Sequence, residues 1–245
     1  MLYEGRARFI NEGGNVSLED NRLIVESADA VTIYYTAATN FVNYKDVSGD
    51  QAQSVQDYMK NVDNKEYKIV REDAIEDFQH LFKRVSMSFE STPFSYLPTN
   101  VRVDSIQNNS DAQMAALSYQ FGRYLLISSS RAGTQPANLQ GIWNSDPNPS
   151  WDSKYTTNIN TQMNYWATES SNLSELHEPL FKMIEELKDE GSKVAKEHYG
   201  AKGWVFHQNT DLWRVAAPMD GAQWGTFTVG GAWLTTHMWE RYLYA

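Results

Sequence analysis

The chain has 245 residues, 41% of them hydrophobic, and a formal net charge of −10. That is enough apolar material for one large domain or two smaller ones, and an acidic balance ill suited to nucleic acid or an anionic membrane surface. Cysteine is absent, so neither a disulfide nor a thiolate metal site can contribute.

The longest apolar runs, such as Tyr124 to Ile127, fall far short of the roughly 20 residues a membrane span needs. The opening MLYEGRARFI lacks the basic start and apolar middle of an export signal. Residues 2–10, 15–18, 22–27 and 30–37 read as short strands of an antiparallel sheet, turned at Gly13-Gly14 and Asp20-Asn21. AVTIYYTAA has consecutive apolar residues, the pattern of a strand covered on both faces. A polar stretch follows from 43 to 64, consistent with a loop and a short helix. Residues 71–82 carry Ala74, Phe78, Leu81 and Phe82 at helical spacing. RVSMSF (84–89) alternates again and is expected to rejoin the sheet, and 91–105, with Pro93 and Pro98, reads as a linker.

Ser110-Asp111 is placed to cap a long helix whose stripe is Met114, Leu117, Phe121, Tyr124 and Leu125, stopped by Gly133 and Pro136. Ser174 opens another, with Leu176, Leu180, Met183, Ile184 and Leu187 on one face; Gly191 is expected to interrupt it and Gly200 to cap it. Residues 203–213 read as irregular or briefly extended. A final helix follows Gly230-Gly231, with Trp233, His237, Glu240 and Tyr244 on one side.

All eight tryptophans (143, 151, 166, 204, 213, 224, 233 and 239) fall in the second half. Three of them lie in NLQGIWNSDPNPSWDSKYTTNINTQMNYW (138–166), among many side-chain amides. Sugars suit such a stretch, because their C–H faces lie on indole rings while their hydroxyls need amides and carboxylates at the edge. If Asn158-Ile159-Asn160 is extended, both amides share one face and Ile159 turns into the core. Asn160 then becomes the N-cap of a helix from Thr161. Two neutral amides on one spot can hold a water or a pair of hydroxyls, yet neither can take a proton at neutral pH. Equally consistent is a role in capping a helix and tying down a loop.

Other chemistry is poorly supported. There is no Gly-x-Ser-x-Gly elbow, and Ser128-Ser129-Ser130 suits capping and packing. The histidines 80, 177, 198, 207 and 237 show no metal-binding spacing, and no nucleotide fingerprint occurs; the sequence calls for no cofactor and no metal. Asp152, Glu169, Asp211 and Glu240 lie near the aromatic segments, but glycoside hydrolysis needs a pair at a set separation, which a sequence cannot supply.

The blocks GRYLLISSSRAGTQPANLQGIWN (122–144), WDSKYTTNINTQMNYWATE (151–169), NLSELHEPLF (172–181), GWVFHQNTDLW (203–213) and GGAWLTTHMWERY (230–242) together resemble glycoside hydrolase family 95. These are α-L-fucosidases, with some relatives acting on α-L-galactosides. Residues 1–90, with YEGRARF, EGGNVS and FKRVSMSF, resemble the end of that family's N-terminal β-domain. The resemblance implies an α+β multidomain chain: part of an antiparallel β-sandwich over 1–90, a linker over 91–109, and the first part of an (α/α)6 barrel over 110–245. It implies inverting hydrolysis of terminal, α-1,2-linked fucosides, in which Asn158 and Asn160 assist an aspartate in activating water. Thr156 stands where some members have a sugar-contacting histidine, Trp233 is implied to line the subsite, and Gln208 replaces a second histidine.

In the family the general acid and the aspartate base follow the GGAW helix at a distance, so a chain cut before both is expected, with Glu240 not promoted to acid. An open barrel would leave the stripes of the helices at 110 and 174 partly exposed. The implied partner is a fucosylated glycan, with no nucleic acid, no membrane and an oligomeric state left open. Export beyond the cytoplasm is implied by the resemblance alone. Two rivals remain: a non-catalytic carbohydrate-binding module, and a helical interaction module whose tryptophans are only core.

Overall fold

The computed structural model describes residues 1–107 and 111–245; Ser110, expected as a helix cap, lies outside them. The chain divides into two compact units, Met1–Asp77 and Phe78–Ala245.

The first unit is built on a long hairpin. Strands β1 (Tyr3–Glu12) and β4 (Ala30–Thr39) pair antiparallel from Tyr3 opposite Thr39 to Glu12 opposite Ala30. Between them, β2 (Asn15–Glu19) and β3 (Arg22–Glu26) form a second hairpin. Its two-residue turn has Asp20 at φ 47° and Asn21 at φ 61°, the left-handed pair whose twist matches the flanking strands. These are two separate two-stranded ladders rather than the single sheet expected from the sequence. Helix α1 (Gln51–Lys60) is capped by the Asp50 side chain, packs on β4 and β1, and buries Val55 completely. The expectation that β4 is covered on both faces fails: Val31, Ile33 and Tyr35 are exposed in alternation with half-buried Thr32, Tyr34 and Thr36. The run of apolar residues therefore meets the period-2 pleat with one face open. Helix α2 (Tyr67–Phe82) starts in this unit and ends in the second.

In the second unit, residues 84–89 form no strand, because the backbone oxygen of Val85 is taken by the side chains of Gln120 and Arg123. The segment expected as a linker holds a short 3-10 turn (Pro93–Tyr96) and helix α3 (Thr99–Ser105). Asp111 is not the cap residue of the next helix, α4 (Gln113–Ser129). Ala112 holds the cap position, while the Asp111 carboxylate takes a backbone hydrogen bond from Gln113 and also accepts from Ser95 Oγ and Arg102 Nε, each at 2.8 Å. On α4, Leu126 and Ile127 are buried while Leu117, Phe121 and Tyr124 stay exposed.

The core gathers around α6 (Glu178–Tyr199), which follows a 3-10 turn at Ser174–His177. Leu176, Leu180, Met183, Ile184 and Leu187 are at most 3% exposed, each worth about 1.5–3 kcal/mol of transfer free energy. This face is thus covered, unlike that of α4. Gly191 does not interrupt α6. A Cβ there would sit 2.5 Å from the Val205 carbonyl oxygen, so glycine allows residues 204–207 to lie against the helix. Gly230 and Gly231, at the start of α8 (Gly230–Tyr244), do the same from the other side. Their Cβ atoms would meet the His207 carbonyl oxygen and the Trp204 ring. Gly200, at φ 60°, closes α6 as its composition suggests.

Candidate active site

The aromatic segment leads into a two-residue strand, β5 (Tyr155–Thr156), which pairs with β6 (Asn209–Thr210). The short ladder is locked by Thr157, whose backbone nitrogen donates to the Gln208 carbonyl oxygen at 2.6 Å and whose hydroxyl donates to the His207 carbonyl oxygen at 3.0 Å. Helix α5 (Asn160–Tyr165) starts three residues after Thr157. Asn158 lies in the intervening turn, so the triplet is not extended, and Ile159 is exposed instead of buried. Asn160 is the first helical residue, with Ile159 in the cap position. The chain must turn here because Thr161 and Gln162 bind back to the carbonyls of Thr156 and Thr157, at 2.9 and 2.6 Å.

Asn158 and Asn160 line one cavity of about 560 Å³ together with Thr156, Gln208 and Asn209. A tight turn thus brings the two amides to one space by a route different from the extended one. Trp233 is not among the lining residues; it is half-buried against the Phe227 ring at 6.3 Å. Two other tryptophans, Trp151 and Trp224, line the cavity while 65% and 68% exposed.

The same cavity is lined by an ion-pair cluster that sequence reasoning missed. Lys154 Nζ is 2.9 Å from Asp220 Oδ1 and 3.0 Å from Asp152 Oδ2, and Asn209 Nδ2 donates to Asp220 Oδ2 at 2.9 Å. Burial of Lys154 weighs against its charge, but the hydrogen bonds to Asp220 and Asp152 outweigh it and hold the pKa above the ordinary lysine value. The available signal was Asp220-Gly221, a turn pair just before a tryptophan-bearing segment. Asp220 is left-handed at φ 64°, followed by Gly221 at φ 99°, and this turn starts the short helix α7 (Ala222–Gly225) that carries Trp224.

Trp151 is held in a rarer way. Trp151, Asp152 and Ser153 have φ of 56°, 55° and 52°. Three successive non-glycine residues in the left-handed region cost roughly 1–2 kcal/mol each. Hydrogen bonds from Asp152 N to Pro149 O and from Lys154 N to Trp151 O, at 3.0 and 3.1 Å, keep the turn closed.

The other carboxylates noted in the sequence are elsewhere. Glu169 is 6% exposed and accepts from Ser174 Oγ, from His177 Nδ1 at 2.7 Å and from Arg241 at 3.4 Å. Asp211 accepts from Trp213 N at 2.8 Å, and Glu240 is exposed. Ser129 and Ser130 serve packing, through Leu125 O and through Tyr165 with Leu176 O. Among the described residues no group of three or more metal-ligating side chains is assembled, and no helix is long and apolar enough to cross a membrane.

The cavity is lined by amides and indoles together, on a mixed helical frame with small antiparallel ladders, a lining of the kind that suits carbohydrate. Residues 66–245 match the profile of the glycosyl hydrolase family 95 catalytic domain. Alpha-L-fucosidase 2 of Arabidopsis thaliana is 42% identical over 96% of this chain and 29% of its own length. Probable alpha-fucosidase A of Aspergillus niger is 30% identical over 100% of this chain and 33% of its own, and the Aspergillus oryzae protein of the same name 29% over 89% and 32%. The chain belongs to glycosyl hydrolase family 95. It spans about a third of the length of the curated relatives it matches.

Proposed function

We propose that this chain supplies the water-positioning wall of a family 95 α-L-fucosidase site, for inverting hydrolysis of terminal α-1,2-linked L-fucosides. One observation carries the reading: Asn158 and Asn160 face the same cavity as Thr156. Each amide offers a donor and an acceptor, so the pair can orient a water molecule that a carboxylate elsewhere deprotonates. The family's acid and base fall outside the motifs matched in these residues, and neither role is given to Glu240 or Asp152. The same reading takes 1–90 as the end of an N-terminal β-sandwich domain, 91–109 as a linker, and 110–245 as part of an (α/α)6 barrel. Thr156 and Trp233 are proposed sugar contacts, Trp233 from the resemblance alone.

A second reading, preference for α-L-galactosides, is favoured by the Thr156 hydroxyl, which is buried without a hydrogen-bond partner among the described residues. L-galactose carries at C6 a hydroxyl that L-fucose lacks. Calorimetric titration of the 245-residue chain with L-fucose and L-galactose tests both readings. Saturable binding that weakens at least several-fold in Asn158→Ala and Asn160→Ala is expected. No binding of either sugar by the wild type, or unchanged binding by both variants, sinks the assignment.

A further inference from the structure

We propose that Trp151 and Trp224 form a second sugar subsite, which holds the residue to which the terminal sugar is attached. The two indoles line the same cavity as the amide pair, and each keeps well over half of its surface open to solvent. Burial does not account for their positions. Trp151 rides on the left-handed turn of residues 151–153 and Trp224 on the helix begun by the left-handed Asp220. Lys154 staples these two segments: its ammonium lies between Asp152, next to Trp151, and Asp220, four residues before Trp224. Strain in three adjacent residues, held by an ion pair that is shielded on the lysine side, is an arrangement found at ligand clamps.

The floor of the same cavity is polar and incomplete. Thr156, 8% exposed, and Asn209, 1% exposed, each have a buried side-chain oxygen without a partner among the described residues. Hydroxyls of a bound sugar would satisfy these atoms, and exposed indoles above would take the apolar face of a neighbouring ring. The amides suit the hydroxyls of the terminal sugar and the indoles the face of its neighbour, so the occupant is a neutral oligosaccharide of at least two residues. The subsite rests on the reading of the cavity as a terminal-sugar site.

The test is calorimetric titration of the 245-residue chain with L-fucose and with the α-1,2-linked disaccharide of L-fucose and D-galactose. The readout is the ratio of the two affinities. One well-stacked ring should make the disaccharide about tenfold tighter. In Trp151→Ala with Trp224→Ala the ratio should fall to within about twofold of one, and Trp→Phe at both positions should recover most of it. Trp151→Gly, which the left-handed backbone accepts without strain, should lose the advantage while melting no lower than wild type. Trp239→Ala, on an exposed ring of α8, should leave the ratio unchanged. A ratio that stays near ten in the double alanine variant overturns the subsite. So does fucose binding by the wild type with no gain for the disaccharide, although the terminal-sugar reading then stands. If the wild type binds neither compound, the terminal-sugar reading fails and the subsite fails with it.

Discussion

Thr156 and Asn209 sit directly opposite each other across the β5–β6 ladder, both line the cavity, and each has a buried side-chain oxygen without a hydrogen-bond partner among the described residues. Two orphaned acceptors on adjacent positions are costly, since each buried polar group left unsatisfied forfeits about 1–3 kcal/mol. Thr156→Val removes one of them at nearly constant shape. We expect stability without sugar to be unchanged or raised by up to about 1 kcal/mol, with sugar affinity falling. Chemical denaturation paired with calorimetry checks this, and a loss of stability with affinity intact would mean that the hydroxyl serves the fold.

Gly191 illustrates a different constraint. Its backbone is ordinary helix, yet an added Cβ would lie 2.5 Å from the Val205 carbonyl oxygen, and Val205 N already donates to the Gly191 carbonyl oxygen at 3.1 Å. Gly191→Ala should raise helix propensity and still destabilise the protein, by about 1–3 kcal/mol from overpacking. A melting temperature at or above wild type would show that residues 204–207 can move away from α6.

What the sequence revealed depended on how local the cause was. The β2–β3 turn, the apolar face of α6 and the Gly200 cap are set by residues within a few positions of one another, and the pattern displays them. Three features turned on distant groups instead. Residues 84–89 alternate like a strand, but Gln120 and Arg123 bind the Val85 carbonyl oxygen. Gly191 looks like a helix stop, but answers to Val205 across space. Ile159 was expected in the core because its neighbours were assumed extended, whereas Thr161 and Gln162 pull the chain into a turn. At the site, spacing put Asn158 and Asn160 on one extended face, whereas a turn is what brings both to the lining of one cavity. The Lys154–Asp220 pair was not legible, because its partners lie 66 residues apart.

Tyr165 fastens the far end of the helix that begins at Asn160. Its hydroxyl lies 2.7 Å from Ser130 Oγ and accepts from Ala137 N at 2.9 Å, in a site that burial makes hostile to the phenolate, so its pKa is pushed up to about 12. Tyr165→Phe keeps the ring stacked on His177, 5.6 Å away, and removes only the oxygen. Ala137 N then loses its acceptor, and a cost of about 1–3 kcal/mol is expected. Urea denaturation of the two proteins measures it, and a difference below about 0.5 kcal/mol would mean that water replaces the hydroxyl.

His237 and His177 meet edge to face at 5.2 Å, each with a buried, unpartnered Nε2 among the described residues. Burial, with the neighbouring His177 adding to it, lowers the His237 pKa to about 4, against roughly 6.5 in the unfolded chain. Between those values the unfolded state binds a proton that the folded state refuses, so stability falls as pH drops from about 6.5 and levels off below about 4. The full loss is on the order of 3 kcal/mol. Burial likewise lowers His177, opposed by its bond to Glu169, and adds in the same direction. Glu169 is depressed below the ordinary carboxylate value by its bonds to Ser174 and His177, although burial opposes this. Its contribution is present above the unfolded pKa and is lost as pH falls through the lower folded value. His237→Gln should therefore flatten the stability profile between pH 6.5 and 4 without abolishing its slope. Urea midpoints at pH 7, 5.5 and 4.5 provide the check, and parallel profiles for wild type and variant would show that the proton is taken up elsewhere.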